Sequence, residues 1–164
     1  MRRMAHPKDT VSVERVIPAP PERIFDILAD PNRHSEIDGS GSVKEATSES
    51  PSRLSLGAKF QVSMKRGVAY SMMNTVTEFE ENRRIAWSPK PANGRGARFV
   101  GRIWRYQLQP VDGGTKVTET WDISKEGLRF LLRVIAVNGT RKAMEKSLEQ
   151  LESVATAGES RQSP

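Results

Sequence analysis

Apolar residues return to one helical face over residues 126–155. Leu128, Leu131, Leu132, Ile135, Met144, Leu148, Leu151 and Val154 keep a 3.6-residue period. The spacing predicts one long helix carrying a continuous apolar stripe. Residues 58–65 keep a different rhythm: Ala58, Phe60, Val62 and Met64 alternate with Lys59, Gln61, Ser63 and Lys65, as in a half-buried strand. Further strands are predicted at 10–17, 43–49, 68–80, 84–88, 98–109 and 115–124. Arg66-Gly67, Glu81-Asn82 and the run Pro110-Val111-Asp112-Gly113-Gly114 mark turns between them. Residues 22–29 put Ile24, Phe25, Ile27 and Leu28 on a helical period after Pro20-Pro21. Asp30 then suits the cap of a second short helix over 31–37, with Pro31 at its first position. The order is strand, two short helices, six strands, long helix. Short turns imply antiparallel pairing. One helix after a strand-rich run must lay its stripe on the sheet, and if the sheet curves, the space between them can hold a ligand.

This order and several local strings resemble the START-like superfamily, also called SRPBCC, in its polyketide cyclase/dehydrase branch. The strings are VERVIPAPPERIFDILADPNRHSEID from Val13 to Asp38, Trp104-Arg105-Tyr106 leading to GGTKVTET at 113–120, and the closing Ser147-Leu148-Glu149-Gln150-Leu151. The resemblance covers nearly the whole chain. It implies an α+β helix-grip fold: a curved seven-stranded antiparallel sheet around a long C-terminal helix, with two short helices after the first strand and a cavity between sheet and helix. Members of the superfamily include lipid carriers, hydrophobic-ligand-binding allergens, aromatic polyketide cyclases and client-binding regulators. The domain is expected to occupy residues 9–156, with flexible tails at 1–8 and 157–164.

Composition narrows the classes. A chain of 164 residues favours one domain with enough core to fold without staples. Hydrophobic residues make up 36% and the mean hydropathy is -0.58, as in a soluble domain with a polar periphery. The absence of cysteine excludes disulfides, thiolate metal sites and cysteine nucleophiles. No run approaches the ~18 apolar residues of a membrane span. The basic start, Met1-Arg2-Arg3-Met4, has no apolar segment behind it, so a cytoplasmic location is expected. The net charge is +6, but the basic residues are scattered, densest at Arg95, Arg98, Arg102 and Arg105. No groove-reading element accompanies them, so no nucleic-acid partner is expected.

No strong catalytic motif is present. Two histidines cannot build a multi-histidine metal site, and neither metal nor cofactor is called for. Gly39-Ser40-Gly41 lacks the lysine and helix of a phosphate loop and reads as a solvated turn. His34 reads as a packed side chain. The informative group is on the last hairpin. A turn centred near Asp112-Gly113 brings Glu119 beside Trp104 or Tyr106, with Arg102 within diagonal reach or one step further. A carboxylate on an apolar face is costly unless paired or protonated. Glu119 therefore pairs with Arg102 or a tyrosine, or its pKa rises and it can act as an acid or base. Glu119, Tyr106 and Arg102 are the candidate catalytic residues. Met64, Tyr70, Met72, Trp87, Trp104, Trp121, Phe130, Ile135 and Gly139 are candidates for contact with a flat or greasy ligand. Whether Met72 or Met73 faces inward depends on the length of the Arg66-Gly67 turn. Gly139 reads as room for a ligand, a kink, or a break between helices. Residues 89–96 read as a surface loop or a lid.

Three functions fit these features. One is binding, with transfer, of a hydrophobic or amphipathic molecule such as a lipid or polyketide-like compound. The second is a cyclase/dehydratase acting on a polyketide-like substrate. The third is a client-binding regulator. A monomer or homodimer without integral membrane association is expected.

Overall fold

A computed structural model of the chain describes residues 9–157. The tails expected to be flexible lie outside the described residues, apart from Ala157. The seven strands are β1 (Thr10–Ile17), β2 (Val43–Ala46), β3 (Lys59–Arg66), β4 (Val68–Glu80), β5 (Arg84–Pro91), β6 (Ile103–Val111) and β7 (Gly114–Asp122). They form one antiparallel sheet in the order β1-β7-β6-β5-β4-β3-β2. Helices α1 (Pro21–Ala29) and α2 (His34–Ile37) follow β1, and α3 (Arg129–Ile135) and α4 (Val137–Thr156) close the chain. This is the helix-grip architecture.

Local chemistry explains the element ends. Pro20 and Pro21 open α1, where the missing N–H groups have no helical acceptor to lose. The Asp30 side chain accepts from the Asn32 backbone N–H at 3.0 Å and caps the 3₁₀ turn Pro31–Arg33 that leads into α2. The β3–β4 hairpin turns on Gly67 alone, at φ 79°, a left-handed value that favours glycine. That register pairs Met72 with Val62, which places Met72 on the inner face. β5 runs further than the sequence pattern indicates. Its pairing with β6 ends at Trp87–Trp104, and Pro89 and Pro91 lie beyond that point on a strand with one free edge. β6 starts later than expected, because residues 97–99 form a 3₁₀ turn.

The core lies on the concave face. Phe60, Val62, Val76, Ile85, Leu108 and Val117 of the sheet meet Ile24, Phe25 and Leu28 of α1 and Met144, Leu148 and Leu151 of α4. Leu54 tucks into this core, whereas Leu56 is exposed.

The last helix departs most from the sequence pattern. Ser124 to Leu128 are not helical, and the helix is broken at Ala136 (φ -109°, ψ -21°). The C-terminal half of the stripe, Met144, Leu148 and Leu151, is buried, and Val154 packs against it. The N-terminal half is not: Leu128, Leu131 and Ile135 face solvent. The break is at Ala136, and Gly139 lies inside α4.

Candidate functional site

Between the concave face and α2 and α4 lies a cavity of about 980 Å³. Arg66, Ala69, Tyr70, Ala92 and Asn93 of its wall are exposed; the Ala92 N–H donates to the Ser71 carbonyl, so β5 and β4 meet at this end, which forms the mouth. Met64, Met72, Trp87, Trp104 and Trp121 line the interior. Their alternation along β3 to β7 puts each on the inner face. Gly139 and Thr140 of α4 roof it. A Cβ built on Gly139 would meet no atom within 4 Å, so this glycine borders open space.

The register brings the hairpin residues together. Tyr106 stands opposite Glu119, and Trp104 opposite Trp121. On the other side of β7, Val13 is the neighbour of Glu119. The Tyr106 hydroxyl donates to Glu119 Oε1 at 2.9 Å. Only 2% of Glu119 is exposed. Its second oxygen, Oε2, has no hydrogen-bond partner, and neither has the indole Nε1 of Trp121 two residues on. Burial raises the Glu119 carboxyl to about 8, against a modest lowering by the Tyr106 bond and a further rise from the nearby Asp38 charge. Burial, with Glu119 and Asp38 nearby, also drives the Tyr106 phenol well above its ordinary value. At neutral pH both groups are therefore uncharged. Glu119 then accepts through Oε1 and has an O–H to donate from Oε2.

Arg102 does not join this pair. Its Nε donates to Glu126 Oε1 at 2.5 Å, and Glu126 is itself buried. The reason is placement: Arg102 precedes β6 and lies beside the turn after β7, whereas Glu119 is mid-strand. Arg102 does line the cavity, whereas Phe130 and Ile135 are absent from its wall. Both face solvent, because the break at Ala136 reorients α3, and only Leu132 and Ala136 from this segment reach the cavity.

His34 is packed, with its ring stacked on Trp87 at 4.9 Å and edge-on to Phe60 at 5.3 Å. Its Nε2 lies 2.9 Å from the Leu28 carbonyl, an acceptor only, so Nε2 carries the proton. Burial lowers its pKa below the ordinary value. The 39–41 turn is solvated at Ser40 and Gly41, but Gly39 packs on α4. The Gly39 N–H donates to Ser147 Oγ at 2.9 Å. Asp38 beneath it accepts from the Val43 N–H at 2.8 Å and from the Ser40 hydroxyl at 2.8 Å. Asp38, Asn74, Thr140 and Ser147 all line the cavity and were not singled out from the sequence. The polar letters of the 38–42 turn were visible there, but nothing local showed that α4 would cover them. Among the described residues no group of three His, Asp or Glu side chains is gathered that could hold a metal ion.

Comparison with known proteins agrees with this architecture. The family described as "Polyketide cyclase / dehydrase and lipid transport" matches residues 8–156. The chain belongs to that family. It falls within the START-like superfamily. The uncharacterized protein Rv0088 of Mycobacterium tuberculosis is 32% identical over 142 residues, covering 82% of this chain and 59% of that protein. The chain thus spans less than two thirds of that relative's length. Among solved structures, protein Ms6760 from Mycobacterium smegmatis superposes with a TM-score of 0.70 at 21% identity, covering 92% of this chain and 93% of its own. Protein NE0264 from Nitrosomonas europaea gives 0.71 at 17% identity, covering 94% and 99%. At these identities the solved structures show a shared fold alone. Among the described residues, no helix is long and apolar enough to cross a membrane.

Proposed function

We propose that this family member binds one uncharged or amphipathic hydrophobic molecule in the cavity, with an acceptor oxygen of that molecule placed against Glu119 and Trp121. One observation carries the reading: two polar atoms of cavity-lining residues, Glu119 Oε2 and Trp121 Nε1, are buried without hydrogen-bond partners, beside the aromatic and methionine side chains of the wall. Leaving a buried donor unpaired costs about 1–3 kcal/mol. A carbonyl or hydroxyl oxygen on a ligand would satisfy both groups and recover that cost. Residues two apart on a strand project from the same face about 7 Å apart along the chain, so a single ligand end can reach both. The volume suits a drug-sized molecule, and burial of its apolar surface at roughly 25 cal/mol per Å² supplies the affinity.

The same residues support a second reading, a cyclase/dehydratase. A carboxyl poised near pH 8 and held by Tyr106 can lend its proton to a substrate carbonyl oxygen and recover it from the product. Arg102 has no part in that step, since its guanidinium is held by Glu126. A regulator that binds clients through its outer surface has less support, because it leaves the unpartnered groups unexplained.

The test is native mass spectrometry of the purified protein, followed by identification of any small molecule released on denaturation. Trp121→Phe keeps an aromatic ring, smaller than the indole, and removes the donor. It should weaken a carbonyl-bearing ligand about tenfold more than its hydrocarbon analogue, the worth of one hydrogen bond in a dry site. Equal loss for both ligands would sink the assignment. Conversion of the ligand, abolished in Glu119→Gln while binding persists, would favour the enzyme.

A further inference from the structure

We propose that the outward face of α3 is a docking surface for an anionic lipid bilayer. None of the seven residues of α3 is buried. At 100° per residue Leu132 points to the cavity, which it lines together with Ala136. Phe130 and Val134 lie on the opposite side, Leu131 and Ile135 lie about 100° and 60° round from Leu132, and all four are exposed, Val134 at 83% and Ile135 at 67%. Leu128 precedes them, also exposed. Phe99 extends the patch: its carbonyl accepts from the Gly127 N–H at 2.9 Å, and its ring faces solvent. Six large apolar side chains are therefore exposed on or beside this one short segment, a concentration of the kind that marks an interaction surface.

The charge around the patch identifies the occupant. Between residues 125 and 142 five side chains are basic: Lys125, Arg129, Arg133, Arg141 and Lys142. The one acid in that stretch, Glu126, is buried against Arg102 and presents no charge outward. Arg129 and Arg133 both lie over the Phe130 ring, at 5.0 and 5.1 Å, and Arg98 lies over Phe99 at 4.7 Å. Arg133 is also anchored to Asp9. An apolar arc flanked by arginines is the pattern of a helix lying in the plane of a membrane interface. A second copy of the chain fits less well. A two-fold axis through this patch would set Arg129 near its own counterpart, at a repulsive cost. Anionic headgroups turn the same charges into attraction. Because Leu132 and Ala136 belong to both the cavity wall and this segment, docking brings the cavity to the lipid surface. The surface does not depend on what the cavity holds.

Co-sedimentation of the full chain with phosphatidylcholine vesicles, with and without phosphatidylglycerol, tests this. Binding is expected with the anionic vesicles, weakening as salt is raised. Arg129→Gln should weaken it about fivefold. The double substitution Val134→Ser and Ile135→Ser should weaken it tenfold or more. Both substituted side chains are exposed, so the thermal unfolding midpoint should not fall. Failure to bind anionic vesicles, or binding indifferent to the double substitution, overturns the proposal. So does a dimer in sedimentation velocity that the double substitution dissociates, since that assigns the face to a second copy.

Discussion

Replacing Glu119 by glutamine tests the central electrostatic argument without any ligand. Burial raises this carboxyl from 4.5 to about 8. That gap corresponds to ~5 kcal/mol held against the ionised form. Between those two pH values the folded protein keeps the proton that the unfolded chain has released. The unfolded state then binds fewer protons, so Glu119 makes stability fall as pH rises from about 4.5 to about 8. The slope is roughly 1.4 kcal/mol per pH unit, flattening above pH 8. Glutamine cannot ionise, and its side-chain oxygen can still accept from the Tyr106 hydroxyl. The variant should match the wild type within ~1 kcal/mol at pH 4.5 and exceed it by several kcal/mol at pH 8.5. The assay is urea unfolding followed by tryptophan fluorescence across that range, and the quantity read is the difference between the two proteins. His34 acts in the opposite sense: its pKa is lowered by burial, so its contribution is lost as pH falls below 6.5. That contribution is common to both proteins and cancels in the difference. A difference that does not change with pH would refute the buried, protonated state of Glu119.

Two further substitutions separate packing from ligand space. A Cβ on Gly39 would lie 2.5 Å from the Ser147 backbone nitrogen and closer still to the Ala143 carbonyl oxygen. Gly39→Ala should cost ~3 kcal/mol or more, a fall of roughly 6–12 °C in the unfolding midpoint by calorimetry. Gly139 differs, since nothing stands near its Cβ direction. Gly139→Ala should stabilise α4 by ~1 kcal/mol, and Gly139→Leu should keep the fold while weakening any cavity ligand, read by titration calorimetry.

The parts of the fold legible in the sequence are those set by neighbouring residues. Alternation at Phe60, Val62 and Met64 identified the inner face of β3. The Asp112-Gly113 turn set the face and narrowed the neighbour of Glu119 to Trp104 or Tyr106, and the observed register makes it Tyr106. The Pro20-Pro21 and Asp30-Pro31 steps marked the helix starts. The illegible parts depend on what covers a residue from afar. Arg102 had two carboxylates to choose from, and the choice of Glu126 follows from where the chain turns after β7, 24 residues on. Gly39 looked solvated until α4 lay across it.

The terminal stripe shows how far periodicity can reach. It records which side chains share a face, and it says nothing about what that face meets. Over residues 144–151 it meets the sheet, β1 and α1, where Met144, Leu148 and Leu151 are almost wholly excluded from water. Over residues 128–135 the same period continues, yet the break at Ala136 turns the segment away. No proline or glycine stands at the break, so no local signal marked it. The backbone bonds resume on either side, from the Ala136 N–H to the Leu132 carbonyl and from the Thr140 N–H to the Ala136 carbonyl. Leu132 and Ala136 line the cavity, while Leu128, Leu131 and Ile135 of the same run are exposed. The segment before the break therefore borders the hollow on one side and carries an apolar face to solvent on the other. The interior space and the exposed patch are neighbours across this one short segment.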